Sequence, residues 1–363
     1  MTTPPTPSTT LPLRAFGRLP ASDRRPRPRP QPFSPTRIGP AHFGPRHLAL
    51  ALLLLAISAA TANAQGTTTQ HSTFQAVNAQ GQGIYGGGFP ITMRGIVLNN
   101  PEDMLDSTFD TPGFLGAQWQ VFVQTDIDGD FGGTAVWMGQ KYGNIRGDAG
   151  YNYSQPDWEA EMDRVNYPQG MANPPLRAGD VVEVSTPGGL FFNGKYNINE
   201  THDNDPAADF TITRLGSGSL PTPASITLAD VKDSTDTFIF QEDRLSGAEH
   251  YQGTLVELSQ VSLAGPWGGA NDTVTVTDGN GRTFPVRFGL NPDFDLTIAP
   301  SGQFSVVGIF DQEDPNDGSN TFTDNYRLWV MDPGQFAQVP EPGSLLLLGV
   351  AVCLGLARRR RPQ

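Results

Sequence analysis

Cysteine is almost absent: Cys353 is the only one in 363 residues, and it falls in an apolar run near the C-terminus. The rest of the chain therefore has no disulfide framework, no thiolate metal site and no cysteine nucleophile. Histidine is scarce as well. The central chain offers His71, His202 and His250, too far apart for a local zinc motif and none within H-E-x-x-H, and a surface position is expected for each. Positive charge is also thin between the ends. Of 24 basic and 37 acidic residues, eight basic and one acidic precede Gln65, and four basic and one acidic follow Gln338; the stretch between keeps 12 and 35, a net charge near −23. Such a surface repels phosphate backbones, so nucleic acid is not expected as a partner. Long hydrophobic runs occur only towards the ends, so the 274 residues from Gln65 to Gln338 must fold around cores of ordinary size, a length that suits two domains.

What is present is most specific at the C-terminus. Val339-Pro340-Glu341-Pro342-Gly343-Ser344 precedes the apolar run Leu345 to Ala357, and Arg358, Arg359, Arg360 and Arg361 follow it. The 14 residues from Ser344 to Ala357 make about 21 Å of helix, short of the roughly 20 residues of a comfortable membrane span. Four arginines favour the cytoplasmic side and place Pro340 outside, while the two prolines keep the box extended above the membrane. Box, apolar segment and basic cluster in this order resemble the PEP-CTERM sorting signal of bacteria. The resemblance implies processing by a membrane-embedded exosortase that removes the anchor and passes the protein to the surface. At the other end, His47 to Ala60 is mostly apolar and leads to Ala62-Asn63-Ala64, a small-x-small pattern that would leave Gln65 as the mature N-terminus after Sec export. Residues 46–64 thus read as a signal peptide, and residues 1–45, rich in Pro and Arg, as a disordered extension.

Between these ends the periodicity is that of strands. Residues 91–98, 119–124, 134–140, 180–186 and 209–213 are short, β-branched or aromatic, and bounded by Gly, Pro, Asn and Asp; a second series follows at 253–258, 273–277, 283–288, 304–310 and 326–330. Only Pro156 to Val165 has helical character. A Gly-rich leader (65–89), a first β domain (90–215), a Gly-Ser-Pro linker (216–223), a second β domain (224–336) and the sorting tail (337–363) follow from this pattern, with each half expected to fold alone. The two series also repeat one another. Arg94-Gly-Ile-Val-Leu98 matches Gln252-Gly-Thr-Leu-Val256, the hairpin Val121 to Trp137 matches Val274 to Phe288, Gly179-Asp180 matches Gly302-Gln303, and each copy ends in a strand near Tyr196 or Tyr326. This order resembles tandem OB-fold repeats of secreted bacterial proteins, which implies an all-β chain of two OB-like barrels; two β-sandwiches remain the alternative.

No catalytic constellation emerges. Gly81-x-Gly-x-x-Gly86 lacks the flanking strand and helix of a dinucleotide loop, and no G-x-S-x-G elbow exists. Asp126, Asp128 and Asp130 alternate as the first ligands of a calcium loop do, yet Phe131 and Trp137 stand where its glycine and closing glutamate belong. Asp311 to Asp317 is a second acidic loop of the same kind. Glu159 with Glu161, or Glu200 with Asp203 and Asp205, could supply acid and base for glycoside hydrolysis, and Trp158, Trp267 and Tyr142 could stack on sugars, but with 35 acids such pairings arise by chance. The sequence therefore points to an exported, surface-sorted, non-catalytic binding or structural protein of the cell envelope or extracellular polymer matrix. Its precursor is anchored in the inner membrane, its expected partners are the exosortase and extracellular polysaccharide, and no cofactor is expected, Ca²⁺ being the ion its acidic loops could hold. A metal-dependent hydrolase is the alternative, and an oligonucleotide-binding protein the third.

Overall fold

Alternation of buried and exposed side chains runs through the strands as the sequence leads one to expect: Asp180–Thr186 buries every second residue, and so does Thr283–Phe288. The computed structural model describes residues 68–109, 116–200, 208–268, 273–290, 299–315 and 318–338. All of them belong to one compact unit spanning Ala64–Gln363.

The first sheet comprises β1 (Ile91–Val97), β2 (Leu105–Asp106), β3 (Gln118–Thr125), β4 (Gly133–Gly139), β5 (Asp180–Thr186), β6 (Leu190–Phe192), β7 (Lys195–Asn199) and β8 (Thr211–Ser217). They run in the order β6-β7-β4-β3-β1-β5-β8, with β2 beside β3. The second comprises β9 (Ala224–Ile226), β10 (Thr254–Leu263), β11 (Thr273–Thr277), β12 (Thr283–Phe288), β13 (Phe304–Gln312), β14 (Tyr326–Val330) and β15 (Phe336–Gln338). Here β10-β11-β12-β14-β13 close into a five-stranded barrel, because β13 pairs with both β14 and β10. The repeat seen in the sequence is present strand for strand: β1, β3, β4, β5 and β7 take the places of β10, β11, β12, β13 and β14. Even the parallel pairs agree, β4 with β7 and β12 with β14. One ladder differs. In the first copy β5 pairs with β1 and β8, and β7 with β4 and β6, so among the described residues no β5–β7 ladder closes the sheet. The all-β expectation holds, with one closed barrel and one open sheet rather than two barrels.

Each sheet covers its own core. Trp119, Val121, Val123, Val136, Met138, Val182 and Val184 lie in the first, and Val256, Val276, Phe284, Phe304, Phe310 and Leu328 in the second. The helix expected at Pro156 to Val165 is found at Gln155–Asn166; Ser154 caps it by accepting from Asp157 N, and Trp158 and Val165 turn inward onto the first core.

The two halves are not independent. A third cluster joins Leu98, Met104, Phe122 and Ala135 of the first to Leu255, Ile309 and Trp329 of the second. Backbone approaches backbone at Gly133 and Gly253: a Cβ on Gly133 would lie 2.1 Å from Gly253 O, and Gly133 N donates to Gln252 O at 3.0 Å. At this junction the Lys195 ammonium, 5 % exposed, meets the fully buried Asp311 carboxylate at 2.5 Å. Asp311 also accepts from Trp329 Nε1 (3.0 Å), Gln252 Nε2 (3.2 Å) and Arg327 Nη2 (3.1 Å). Residues 218–223 do connect the two sheets, but the linker reading misses the shared core.

Removing Lys195 leaves Asp311 buried without its nearest cation. Lys195→Ala should therefore lower stability by about 3–5 kcal/mol, shifting one cooperative urea transition that reports both sheets together. Arg177→Ala, at the exposed Arg177–Glu102 pair, should change it by less than about 1 kcal/mol. Two separate transitions in the wild type would contradict the shared core.

Candidate functional site

The acids singled out in the sequence are largely committed to holding the fold. Asp126 pairs with Arg94 at 2.9 Å. Asp130 accepts from His71 N (2.9 Å), Ser72 N (3.0 Å) and Ser72 Oγ (2.6 Å), capping the helical turn His71–Phe74; burial works to raise its pKa, but these bonds hold the carboxyl below its ordinary range. Asp128 is exposed at the hairpin tip. Asp126 and Asp130 thus face separate partners, although all three acids line one cavity of about 350 Å³ with His250 and Tyr251. His71 is not on the surface: it is buried, with Nε2 donating to Arg94 O and Nδ1 accepting from Thr134 Oγ1, and desolvation lowers it to about 4, a neutral imidazole. In the second acidic loop, Asp311 is the buried ion-pair partner described above and Asp314 accepts from Asn325 Nδ2 at 2.9 Å.

Glu161, Glu200 and Asp209 form the one group of three acids, among the described residues, whose oxygens lie within 4.8 Å of one another. Arg164 lies against two of the three. It pairs with Glu161, donates to Glu200 Oε2 at 2.9 Å and to Phe210 O at 2.7 Å, while Tyr153 donates its hydroxyl to Glu200. Burial, reinforced by the Asp209 carboxylate, pushes Glu200 up to about 9. Arg164 already supplies the countercharge of Glu161, and Glu200 is held as the neutral acid. Glu159 is exposed on the opposite side of the helix, and Asp203 and Asp205 lie outside the described residues.

A smaller cavity lies elsewhere, on the outer face of the first sheet. On β3, Trp119, Val121 and Val123 face the core, so Gln118, Gln120 and Phe122 face out; on β4 the outward residues are Ala135, Trp137 and Gly139, and on β7 Lys195, Asn197 and Asn199. Gln120, Trp137 and Asn199 are cross-strand neighbours in one row, and Phe122, Ala135 and Asn197 in the next. The barrel covers Phe122 and Ala135. Gln118, Gln120, Trp137, Lys195, Asn197 and Asn199 line a cavity of about 130 Å³ with Leu190, Phe192 and Glu313 of the second half. Trp137 lies over Gly139, where a Cβ would come within 2.4 Å of the indole, and its Nε1 donates to Gln118 Oε1 at 3.3 Å. Among the aromatics, Trp158 and Tyr142 are buried and Trp267 packs on the second core, so the tryptophan beside the cavity is one the sequence did not distinguish. Glutamine and asparagine at every second position of β3 and β7 were visible, but a polar face of this kind is what any half-buried strand shows.

The termini carry the remaining expected residues. Ala62, Ala64 and Gln65, and Pro340, Glu341, Pro342 and Arg358 to Arg361, lie outside the described residues. Residues 338–361 match the family of the PEP-CTERM protein-sorting motif. The chain carries a PEP-CTERM sorting signal. This PEP-CTERM motif marks an exported, surface-sorted protein and implies processing by an exosortase-type enzyme. No curated protein matches the chain. No helix among the described residues is long and apolar enough to cross a membrane, and the apolar part of the motif is outside them.

Glu200 has a folded-state pKa far above its unfolded value of about 4.5, so its contribution to stability is complete below that value and is lost as pH rises towards 9. Glu200→Gln, which keeps the neutral acid's shape, should gain on the wild type as pH goes from 5 to 8, by at most about 1.4 kcal/mol per pH unit. Thermal melting of both proteins at the two values checks this; a constant gap would mean Glu200 is ionised throughout.

Proposed function

We propose that this PEP-CTERM cargo is a non-catalytic binding or structural component of the cell envelope or extracellular polymer matrix. The observation that carries the reading is the chemistry of the amide-lined cavity on the first sheet. Hydrolysis of a glycoside needs two carboxyl groups facing one another across the substrate, and this cavity has a single one, Glu313, already paired with Arg327. Of the acids elsewhere, Asp126, Glu200 and Asp311 are engaged by Arg94, Arg164 and Lys195. The strand order of the barrel, with its parallel closing pair, supports an OB-like reading of the second half, and the open sheet is its relaxed copy. An oligonucleotide ligand fits poorly with the strongly acidic central chain. A metal-dependent hydrolase would need a cluster of acids not already neutralised by arginine.

On this reading residues 46–64 direct Sec export, Ala62 and Ala64 flank the cleavage that exposes Gln65, and the tail holds the precursor in the inner membrane until the exosortase acts at Pro340-Glu341-Pro342. Alanine at those three positions should leave export intact and trap an uncut, membrane-bound form, seen by fractionation and immunoblotting; unchanged surface delivery would overturn it. No cofactor is required. Millimolar Ca²⁺ should raise the melting temperature no more than NaCl of equal ionic strength, since Asp126 and Asp130 already have partners. A larger Ca²⁺ shift that Asp128→Asn abolishes would instead assign the hairpin a metal.

A further inference from the structure

The cavity on the outer face of the first sheet contains an unusual pair of groups. Asn197 and Asn199 are only 7 % and 3 % exposed, yet the side-chain oxygen of each accepts no hydrogen bond. Buried acceptors left unmet cost free energy, and native proteins rarely carry two side by side on one strand without a reason. They lie on the same side of β7, two residues apart, and both line the cavity. The indole of Trp137 stands in the row between Asn199 and Gln120, fixed by its bond to Gln118 and by the absence of a side chain at Gly139.

Charge narrows what could satisfy these acceptors. Lys195 points its ammonium at Asp311, and Glu313 is paired with Arg327, so neither charged neighbour is free to hold an ion of the opposite sign. A phosphate or carboxylate would meet two carbonyl oxygens and no available cation. A purely apolar ring would leave both oxygens as they are. The group that fits is neutral, carries O–H or N–H donors along an edge, and has an apolar face to set against an indole. Its size is also bounded: about 130 Å³ is close to the roughly 150 Å³ of a cavity that accepts a benzene ring. Phe192, 38 % exposed at the mouth, extends the apolar wall outward.

We propose that this cavity binds one neutral sugar residue of an extracellular polysaccharide, with Asn197 and Asn199 accepting from its hydroxyl or acetamido groups and Trp137 packing on its apolar face. The site rests on the reading of the protein as a non-catalytic binder, and it converts that reading into a stated ligand class. A polymer chain would enter past Phe192 and leave over the exposed rim, so single residues bind weakly and affinity grows with chain length and with the number of protein copies on one polymer.

The test uses the protein itself, titrated by calorimetry with glucose, galactose, rhamnose and N-acetylglucosamine, their neutral oligomers, and the washed polymer of the producing cells. Binding to at least one neutral sugar series is expected. Asn197→Ala and Asn199→Ala should each weaken it about three- to tenfold, the loss of one neutral hydrogen bond. Neither should lower the melting temperature, because each removes an unmet buried acceptor. Trp137→Phe should weaken binding and also abolish the sugar-dependent change in tryptophan fluorescence. Polymer bound equally well by the wild type and the Asn197→Ala, Asn199→Ala double variant would overturn the site while leaving the binding reading intact. No binding of sugar or polymer by the folded wild type would overturn both. Saturable binding of Na⁺ or K⁺ that displaces no sugar would likewise reject the assignment, since the amide oxygens would then serve a cation.

Discussion

The buried ion pair between Lys195 and Asp311 is the constraint on which the arrangement of the two halves depends. A carboxylate taken out of water costs several kcal/mol unless its oxygens are fully engaged. Asp311 meets that condition with four donors: Lys195 from the first half, and Gln252, Arg327 and Trp329 from its own. Although burial acts to raise it, the two cations hold the Asp311 carboxyl below its ordinary range. The docking of the sheets brings Lys195 into place. That docking is also where Gly133 and Gly253 allow the two backbones to touch, and where Phe122 and Ala135 find Ile309 and Trp329. Electrostatic, steric and apolar requirements all select the same relative placement.

This placement divides the outer face of the first sheet. β4 is buried along its whole length because one side covers its own core and the other is partly roofed by the barrel. Where the roof ends, beyond Ala135, the row containing Gln120, Trp137 and Asn199 is left lining a cavity rather than facing open solvent. A polar stripe that would be ordinary on an isolated sheet becomes a sheltered one. Glu313, at the end of the strand that carries Asp311, closes its far side.

The excess of acids has a similar double character. Most of them remain at the surface, where mutual repulsion keeps an exported protein soluble. A few are drawn inside and matched: Glu200 with Arg164 and Tyr153, and Glu249 with Arg244 and the hydroxyl of Tyr326 at 2.7 Å. Burial pushes Glu249 up to about 7 in spite of Arg244. The acidic triplet of the Asp126 to Asp130 hairpin belongs to this structural group, since its outer members fasten Arg94 and the turn at His71.

The sequence by itself determined the address and the strands. A sorting signal is read by an enzyme as a linear pattern, so Pro340-Glu341-Pro342, the apolar run and the four arginines were legible without any fold. Strand positions were legible because burial on a sheet repeats every two residues, and the internal repeat because corresponding strands kept the same turns between them. Closure of only one barrel was not legible: it hinges on the β13–β14 ladder having no counterpart between β5 and β7 among the described residues, a pairing between segments distant in the chain. Nor was the linker's true role, since a Gly-Ser-Pro stretch looks the same whether the domains it joins are free or share a core. The cavity was hidden for the same reason. Gln120, Asn197 and Asn199 are 77 or more positions apart or sit in commonplace polar alternation, and only the docking that satisfies Asp311 decides which polar residues of that face are covered, which are left in water, and which are buried with an acceptor still unmet.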